Sequence, residues 1–363
     1  MSSERCAIKV SGLLKPRTLT GIAPCCRMGS DDIAGRRVRA LARRACGIVE
    51  TSGSNLRVDV LAAGARVSAA RRNLPNRGEV TLDHVGHFVA DADAATKVLV
   101  AAGFTVTPYS AQVAPDPVTG EPALTGTANV CVMLRLGYLE VLTHTADTPI
   151  GLEFREALAR RAGLHLAAFA VADAAETHAA LAAAGWPMRP LARFLRNVDT
   201  GAGSEEARFT VARLAKGTMP EGRVQVLTHH NEAAMWQARW TDHENTAEGL
   251  AATIVAAPDP EEAAGRFANL LGRSATPCAN GFRVALDRGA VEVVDEAEGA
   301  RLVGCAVEAG RPAFVGTRIS VGDPERALWW LERGGLKPRR EGDAIVTPFP
   351  AALGIGAWIM SAA

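Results

Sequence analysis

The sequence predicts an α+β protein built from four βαβββ modules that pair into two domains with curved, mixed sheets. Three observations carry this. A strand–helix–strand pattern recurs four times after residue 80. Each copy places an Asp between its first strand and its helix. Two of the copies close on nearly the same strand, YLEVLTH at 138–144 and RVQVLTHH at 223–230. A fixed repeat of this length is the signature of stacked modules, none of which can bury its sheet alone.

The 363 residues are enough for two ordinary domains. Formal net charge is +1, but residues 1–80 hold 15 Lys and Arg against 6 Asp and Glu, which leaves the rest at −8. An acidic main body argues against nucleic-acid binding. No apolar run reaches the roughly 20 residues a bilayer span needs. Seven cysteines, an odd number without CxxC spacing, suggest neither a disulfide framework nor a zinc knuckle. Cys131 and Cys305 fall in apolar strand patterns and read as inert core residues. A cytoplasmic protein is expected.

Residues 1–79 are Arg-rich and poorly periodic, and read as a basic, disordered extension. RRVRALARRACG (36–47) is a possible short basic helix, and RNLPNRGE (72–79) is the boundary.

In module 1, DHVGHFVAD (83–91) is the first strand, capped by Asp91 or Asp93 into the helix 92–103, which Gly103 ends. Phe104–Thr107 is the next strand, and 128–135 and 138–143 follow. The Pro- and Gly-rich stretch 108–129 between them reads as a long loop, an entrance or lid. Module 2 opens at 164–186, where Val171-Ala-Asp173 matches Val89-Ala-Asp91, and closes with strands at 207–215 and 223–230. Module 3 spans 250–272 and 281–296. Module 4 runs from 313–336 to strands AIVTP and GIGAWIMS. RLVGCAVEAG (301–310) fits either an extra strand of module 3 or the start of module 4. The domains are therefore 80–230 and 250–363, joined by 231–249.

Alternate residues of a strand share a face. Leu82, His84, Gly86 and Phe88 fall on one side of the first strand, and Asp83, Val85, His87 and Val89 on the other, covered by the module's helix. His84 then points to the concave side, where Tyr138, Glu140 and Leu142 also point. An imidazole and a carboxylate converging in a cleft can bind a divalent metal. Two residues alone are equally the pattern of a buried histidine hydrogen-bonded to a glutamate.

The repeated modules, with DHVGHFVAD in a first strand and YLEVL in a fourth, resemble the vicinal oxygen chelate superfamily, and its glyoxalase-like members most. The resemblance covers about residues 80–363. It implies a metal cup formed by two modules, with ligands from their first and last strands. Carried onto this chain, it gives His84, Glu140 and Gln225 as metal ligands for Zn, Ni, Mn, Co or Fe. The fourth position departs from the pattern. Leu166 stands where a second ligand would, and neighbouring His165 faces the helix side unless the strand slips by one residue. In module 3 Glu292 matches Glu140, but an alanine near 251–252 and Phe314 occupy the His84 positions. The second domain is expected to be degenerate.

The linking stretch THHNEAAMWQARWTDHENTAEG (228–249) holds three of the eight histidines and two of the six tryptophans. Its EAAMWQARW core fits about two helical turns with Trp236 and Trp240 on one face. The indoles are expected to fill a seam between the domains. His229 shares the parity of Gln225 and is the better fourth ligand or general base. His230, Trp236, Arg239, His243 and Asn129 are candidate substrate contacts; His87, His144 and His178 read as structural. No P-loop, GxSxG or dinucleotide fingerprint is present.

The expected function is that of a divalent-metal enzyme, lyase or isomerase in type. It would act on a small carbonyl- or enolate-forming substrate, with Glu140 and His229 catalytic. An extradiol dioxygenase would need two histidines and a carboxylate, and one clear histidine is present. The alternative is a metal-free small-molecule-binding protein like the bleomycin-resistance relatives. Either form is expected as a monomer or homodimer.

Overall fold

The computed structural model describes residues 73–363 apart from 117, 118 and 202. Residues 1–72 of the extension, including the expected basic helix at 36–47, lie outside the described residues; of the rest, Asn73 is buried and anchored to the barrel. Its amide donates to Arg135 O (2.9 Å) and its Oδ1 accepts from Gly137 N (2.8 Å).

Module 1 comprises β1 (Val80–Val89), α1 (Ala92–Ala101), β2 (Ser110–Pro115), β3 (Pro122–Met133) and β4 (Tyr138–His144). Helix α2 (Pro149–Arg160) leads to module 2: β5 (Gly163–Val171), α3 (Ala174–Ala183), β6 (Ala192–Asp199), β7 (Ser204–Arg213) and β8 (Arg223–His229). Two one-turn helices, α4 (Glu232–Met235) and α5 (Ala238–Thr241), precede module 3: β9 (Ala247–Ala256), α6 (Pro260–Leu271), β10 (Ala275–Cys278), β11 (Gly281–Ala285) and β12 (Ala290–Val294). Helix α7 (Glu296–Val303) is followed by module 4: β13 (Ala313–Val321), α8 (Pro324–Arg333), β14 (Arg339–Glu341), β15 (Ala344–Pro348) and β16 (Ala357–Ala362).

The repeat is visible in the helix starts. Asp91, Asp173, Asp259 and Asp323 are the four N-caps, each accepting from backbone N–H groups of the first turn. The first eight strands close into a barrel, β1-β4-β3-β2-β6-β7-β8-β5, and the last eight form an open sheet, β10-β11-β12-β9-β13-β16-β15-β14. Within each, the two first strands pair antiparallel, and the two central pairs pack on one another, β1 against β9 and β5 against β13.

Those central pairs hold a feature that simple alternation does not predict. Register slips by one residue between Leu82 and His84 on β1, and between Gly86 and His87 opposite it on β5. The same slip occurs at the two corresponding points between β9 and β13, and a third slip there passes over Glu248. The bulged residues are Asp83, His165, Ala251 and Val315, one at the equivalent point of every module. A bulge inserts one residue and reverses the parity of what precedes it. Leu82, Leu164, Leu250 and Phe314 therefore all face the central core, and Asp83 stands beside His84 on the other side. This corrects the assignment of Leu82 to the concave face. It also moves the module 4 counterpart of His84 from Phe314 to Gly316, which pairs with Ile254.

Other elements differ from expectation as well. The stretch 108–129 is not a loop: it forms β2 and the first half of β3, while Phe104–Thr107 forms no strand. The alternation of β-branched and small residues outweighs the Pro and Gly there, and Pro115 and Pro122 sit at strand ends that face each other. Strand β6 was not expected at all. Residues 301–310 include the end of α7, not a strand. Leu302 and Val303 of that helix fill the concave face of the second sheet against Ile254, Val315, Val346 and Ile359. There Glu292 is neither solvated nor a ligand; it bridges Arg283 and Arg318. Among the described residues no helix is long and apolar enough to cross a membrane.

Candidate functional site

The interior of the barrel holds a small cup, open to solvent, with a cavity volume of about 120 Å3. Helix α2 closes one side with Phe154 and Ile150, and α4 closes the other with Met235. Alternate residues of the strands line it: His84 from β1, Gln112 from β2, Thr125 and Asn129 from β3, Tyr138 and Glu140 from β4. Module 2 adds Leu166, Arg196, Arg213, Arg223 and Gln225.

His84 and Glu140 meet as expected. The His84 Nε2 lies 3.7 Å from Glu140 Oε2. Both groups are held from behind. The His84 Nδ1 donates to Asp83 Oδ2 at 2.7 Å, and its ring stacks on Tyr138 with centroids 4.4 Å apart. The Glu140 Oε1 accepts from Asn129 Nδ2 (2.5 Å) and Gln112 Nε2 (3.1 Å). Gln112 is fixed in turn by Thr127 (2.7 Å), and Asn129 Oδ1 accepts from Arg196 (3.2 Å). The second atom of each pair is thus left facing the cup.

Asp83 is fully buried and also accepts from His229 Nε2 at 2.9 Å. Burial alone would raise its carboxyl. The charge and hydrogen bonds of His229 and His84 outweigh that and hold it below the usual carboxylate range. Burial, with the charges of Asp83 and Glu140, pushes the Tyr138 phenol well above its ordinary value.

Of the residues singled out from sequence, His84, Asn129, Glu140 and Gln225 come together in the cup. The register supports the equivalence of Gln225 and Glu140: Glu140 pairs with Gly86 and Gln225 with Ala168, at matching points of β1 and β5. His229 faces Asp83 and packs on Tyr138, Phe209 and Trp236. It is not in the lining of the cup. His165 does not supply the missing ligand: its Nε2 donates to Arg161 O at 2.6 Å and its ring stacks on Phe88.

The linking stretch is split differently from expectation. Trp236 and Trp240 sit on two separate turns and pack on Cys131, Met133 and Tyr138 of the barrel rather than in a seam between domains. His230 binds Thr210 at 2.8 Å, outside the cup. His243 bridges Thr105 N (3.0 Å) and Met133 O (3.0 Å), a backbone clamp. Arg239 lies over Trp240 and against Asp199 O. Sequence reasoning missed Asp83, Gln112 and the three arginines. Of these, Arg223 was accessible to strand parity, since it alternates with Gln225 and Leu227 on one strand.

The cup can be tested for its fit to a divalent ion. Two donors about 2.1 Å from one ion, at roughly tetrahedral to trigonal angles, stand some 3.4–3.7 Å apart. His84 Nε2 and Glu140 Oε2 have that separation, and the Asp83–His84 bond is the outer support metal-bound imidazoles ordinarily have. Gln225 adds an amide oxygen in the same cup. Among the described residues no three His, Cys, Asp or Glu side chains converge as a metal cluster. The donor set is His, Glu and Gln.

Paired βαβββ modules around an inward-facing His and Glu define this as a protein of the vicinal oxygen chelate superfamily. The chain belongs to the glyoxalase-like domain family, whose model matches residues 82–271. That match runs from β1 through α6 and so contains the whole barrel. A hypothetical protein from Staphylococcus aureus superimposes with a TM-score of 0.54 at 9% identity, covering 78% of this chain and 100% of that one. A mutant of 4-hydroxymandelate synthase from Streptomyces coelicolor gives 0.46 at 14% identity, covering 78% and 94%. The Mn(II)-bound glyoxalase from Novosphingobium aromaticivorans gives 0.44 at 16%, covering 78% and 82%. No curated protein matches the chain.

Proposed function

We propose that the chain is a divalent-metal-dependent enzyme, lyase or isomerase in type, acting on a small carbonyl- or enolate-forming substrate in the barrel cup. The observation that carries the proposal is the 3.7 Å approach of His84 Nε2 and Glu140 Oε2, each with its other polar atom already bonded. Such preorganisation is what a ligand set needs before the ion arrives. The ion, when bound, would supply Lewis-acid polarisation of a substrate oxygen. His84, Glu140 and Gln225 would hold it. Tyr138, with its raised phenol, keeps its proton and offers a donor to substrate. His229 acts through Asp83, as a positioning residue for His84, rather than as the base assigned from parity.

The test is the metal content of purified protein by elemental mass spectrometry, for wild type, His84→Ala and Glu140→Gln. About one equivalent in the wild type, lost in both variants, is expected. Metal content unchanged by either substitution sinks the proposal. A second reading, metal-free sequestration of a small molecule, draws on the absence among the described residues of a third His, Cys, Asp or Glu ligand. Ligand binding indifferent to a chelator would favour it.

A further inference from the structure

The two halves of the cup differ in charge. Module 1 contributes His84, Gln112, Asn129, Tyr138 and Glu140; module 2 contributes three guanidinium groups, Arg196 from β6, Arg213 from β7 and Arg223 from β8. Their compensation is unequal. Arg196 donates to Asn129 Oδ1 (3.2 Å) and Met235 Sδ (3.1 Å), and its charge is favoured by Glu140 nearby. Arg223 stands 3.6 Å from Glu153, a carboxylate already held by both terminal nitrogens of Arg189. Among the described residues the Arg213 side chain has no hydrogen bond and no ion pair. Its Nε is buried without a partner, and its guanidinium lies 5.6 Å from the centre of the Phe194 ring. Burial, then the charges of Arg189 and Arg223, pull its pKa down, and the more distant charge of Glu153 offsets this only in part.

A buried, unpaired donor on a fixed cation is costly, and an anion removes that cost. The surroundings narrow its type. Phe194 lies against the guanidinium, and Phe209, Val211, Leu166 and Leu227 add apolar surface to the lining of the same cup. Of the three cup arginines Arg213 alone lacks a side-chain hydrogen bond or ion pair among the described residues, which matches a single negative charge better than a phosphate dianion. Arg213 pairs with Gln225 across β7 and β8, about 5 Å away at the Cα atoms, so an anion on it lies next to the proposed metal donors.

We infer that Arg213, with Arg223 beside it, docks the carboxylate of a small monoanion with an apolar body. This names the substrate class for the cup and rests on reading the cup as the substrate site.

The test is calorimetric titration of the full chain with benzoate, benzamide and phenyl phosphate. Wild type, Arg213→Gln and Arg213→Lys are compared, with and without chelator, and metal content is read on the same samples. Benzoate should bind wild type at least about tenfold more tightly than benzamide, and no more weakly than phenyl phosphate. Arg213→Gln should weaken benzoate by about tenfold or more and leave benzamide unchanged. Arg213→Lys, which keeps the charge, should lose less. Equal affinity for benzoate and benzamide, no benzoate binding, or an unaltered benzoate affinity in Arg213→Gln overturns the inference. Tighter binding of phenyl phosphate overturns the monoanion. Arg213-dependent benzoate binding by protein that takes up no metal even after reconstitution would sink the metal proposal alone and leave this one standing.

Discussion

Three buried histidines make the fold sensitive to mild acid. His87 is 1% exposed, and neither of its ring nitrogens has a partner; it packs on Phe349. Burial pushes its pKa down to about 3. Burial, then the neighbouring Arg161, pushes His165 to about 3, and burial pushes His243 to about 4. In the unfolded chain each takes up a proton near pH 6.5. The folded state binds fewer protons, so stability falls as pH drops below about 6.5 and keeps falling until the folded values are reached. At pH 5.5 each histidine costs about 1.4 kcal/mol, or about 4 kcal/mol for the three, against a typical total of 5–15 kcal/mol. Asp83, held low in the fold, acts in the same direction but only below about pH 4, so this window belongs to the histidines. Urea unfolding of wild type and His87→Leu at pH 7.5 and 5.5 measures the effect. The variant should lose about a third less stability than wild type across that interval. Equal losses in the two proteins, or a wild-type loss under about 1 kcal/mol, would refute the reasoning.

Two other substitutions probe the site and the packing of the sheets. Asp83→Asn keeps the shape but faces one of the two imidazoles with an amide donor; we expect metal affinity about 10- to 100-fold weaker, read by metal titration, and equal affinity would refute the support assigned to Asp83. Gly163 has φ +131°, and a Cβ there would lie 2.3 Å from Ile355 O of the second domain, whereas Gly185, at φ +89°, has open space. Gly163→Ala should therefore cost several kcal/mol and Gly185→Ala about 1 kcal/mol, by chemical denaturation; similar costs would mean the seam yields.

The repeat was legible because its marker is local. An Asp that caps a helix does so through bonds to the next turn; three caps are where the sequence placed them, and in module 1 the structure selects Asp91 over Asp93. His84, Glu140 and Gln225 were legible for a similar reason, since strand alternation sends them inward. That rule failed at Asp83 and His165, because a bulge is decided by the pairing strand and leaves no mark in its own residues. The stretch 108–129 misled because turn-forming residues were weighed without the partner strands that pair with it. His230, Arg239 and His243 looked functional by composition, but each spends its polar atoms on nearby backbone or side chains. Arg213 drew no notice as one arginine among many; its lack of a partner is a tertiary fact.

The difference between the two sheets bears on what the surface offers to other chains. The barrel closes on itself, but its seam between β2 and β6 is a single pair, Val113 with Leu195. The open sheet ends in β10, four residues with Pro277 among them, and in β14, three residues reading Arg339, Arg340 and Glu341. Short, charged or proline-bearing edges reject the addition of another strand. The open sheet thus resists growth by edge-to-edge pairing at both of its margins.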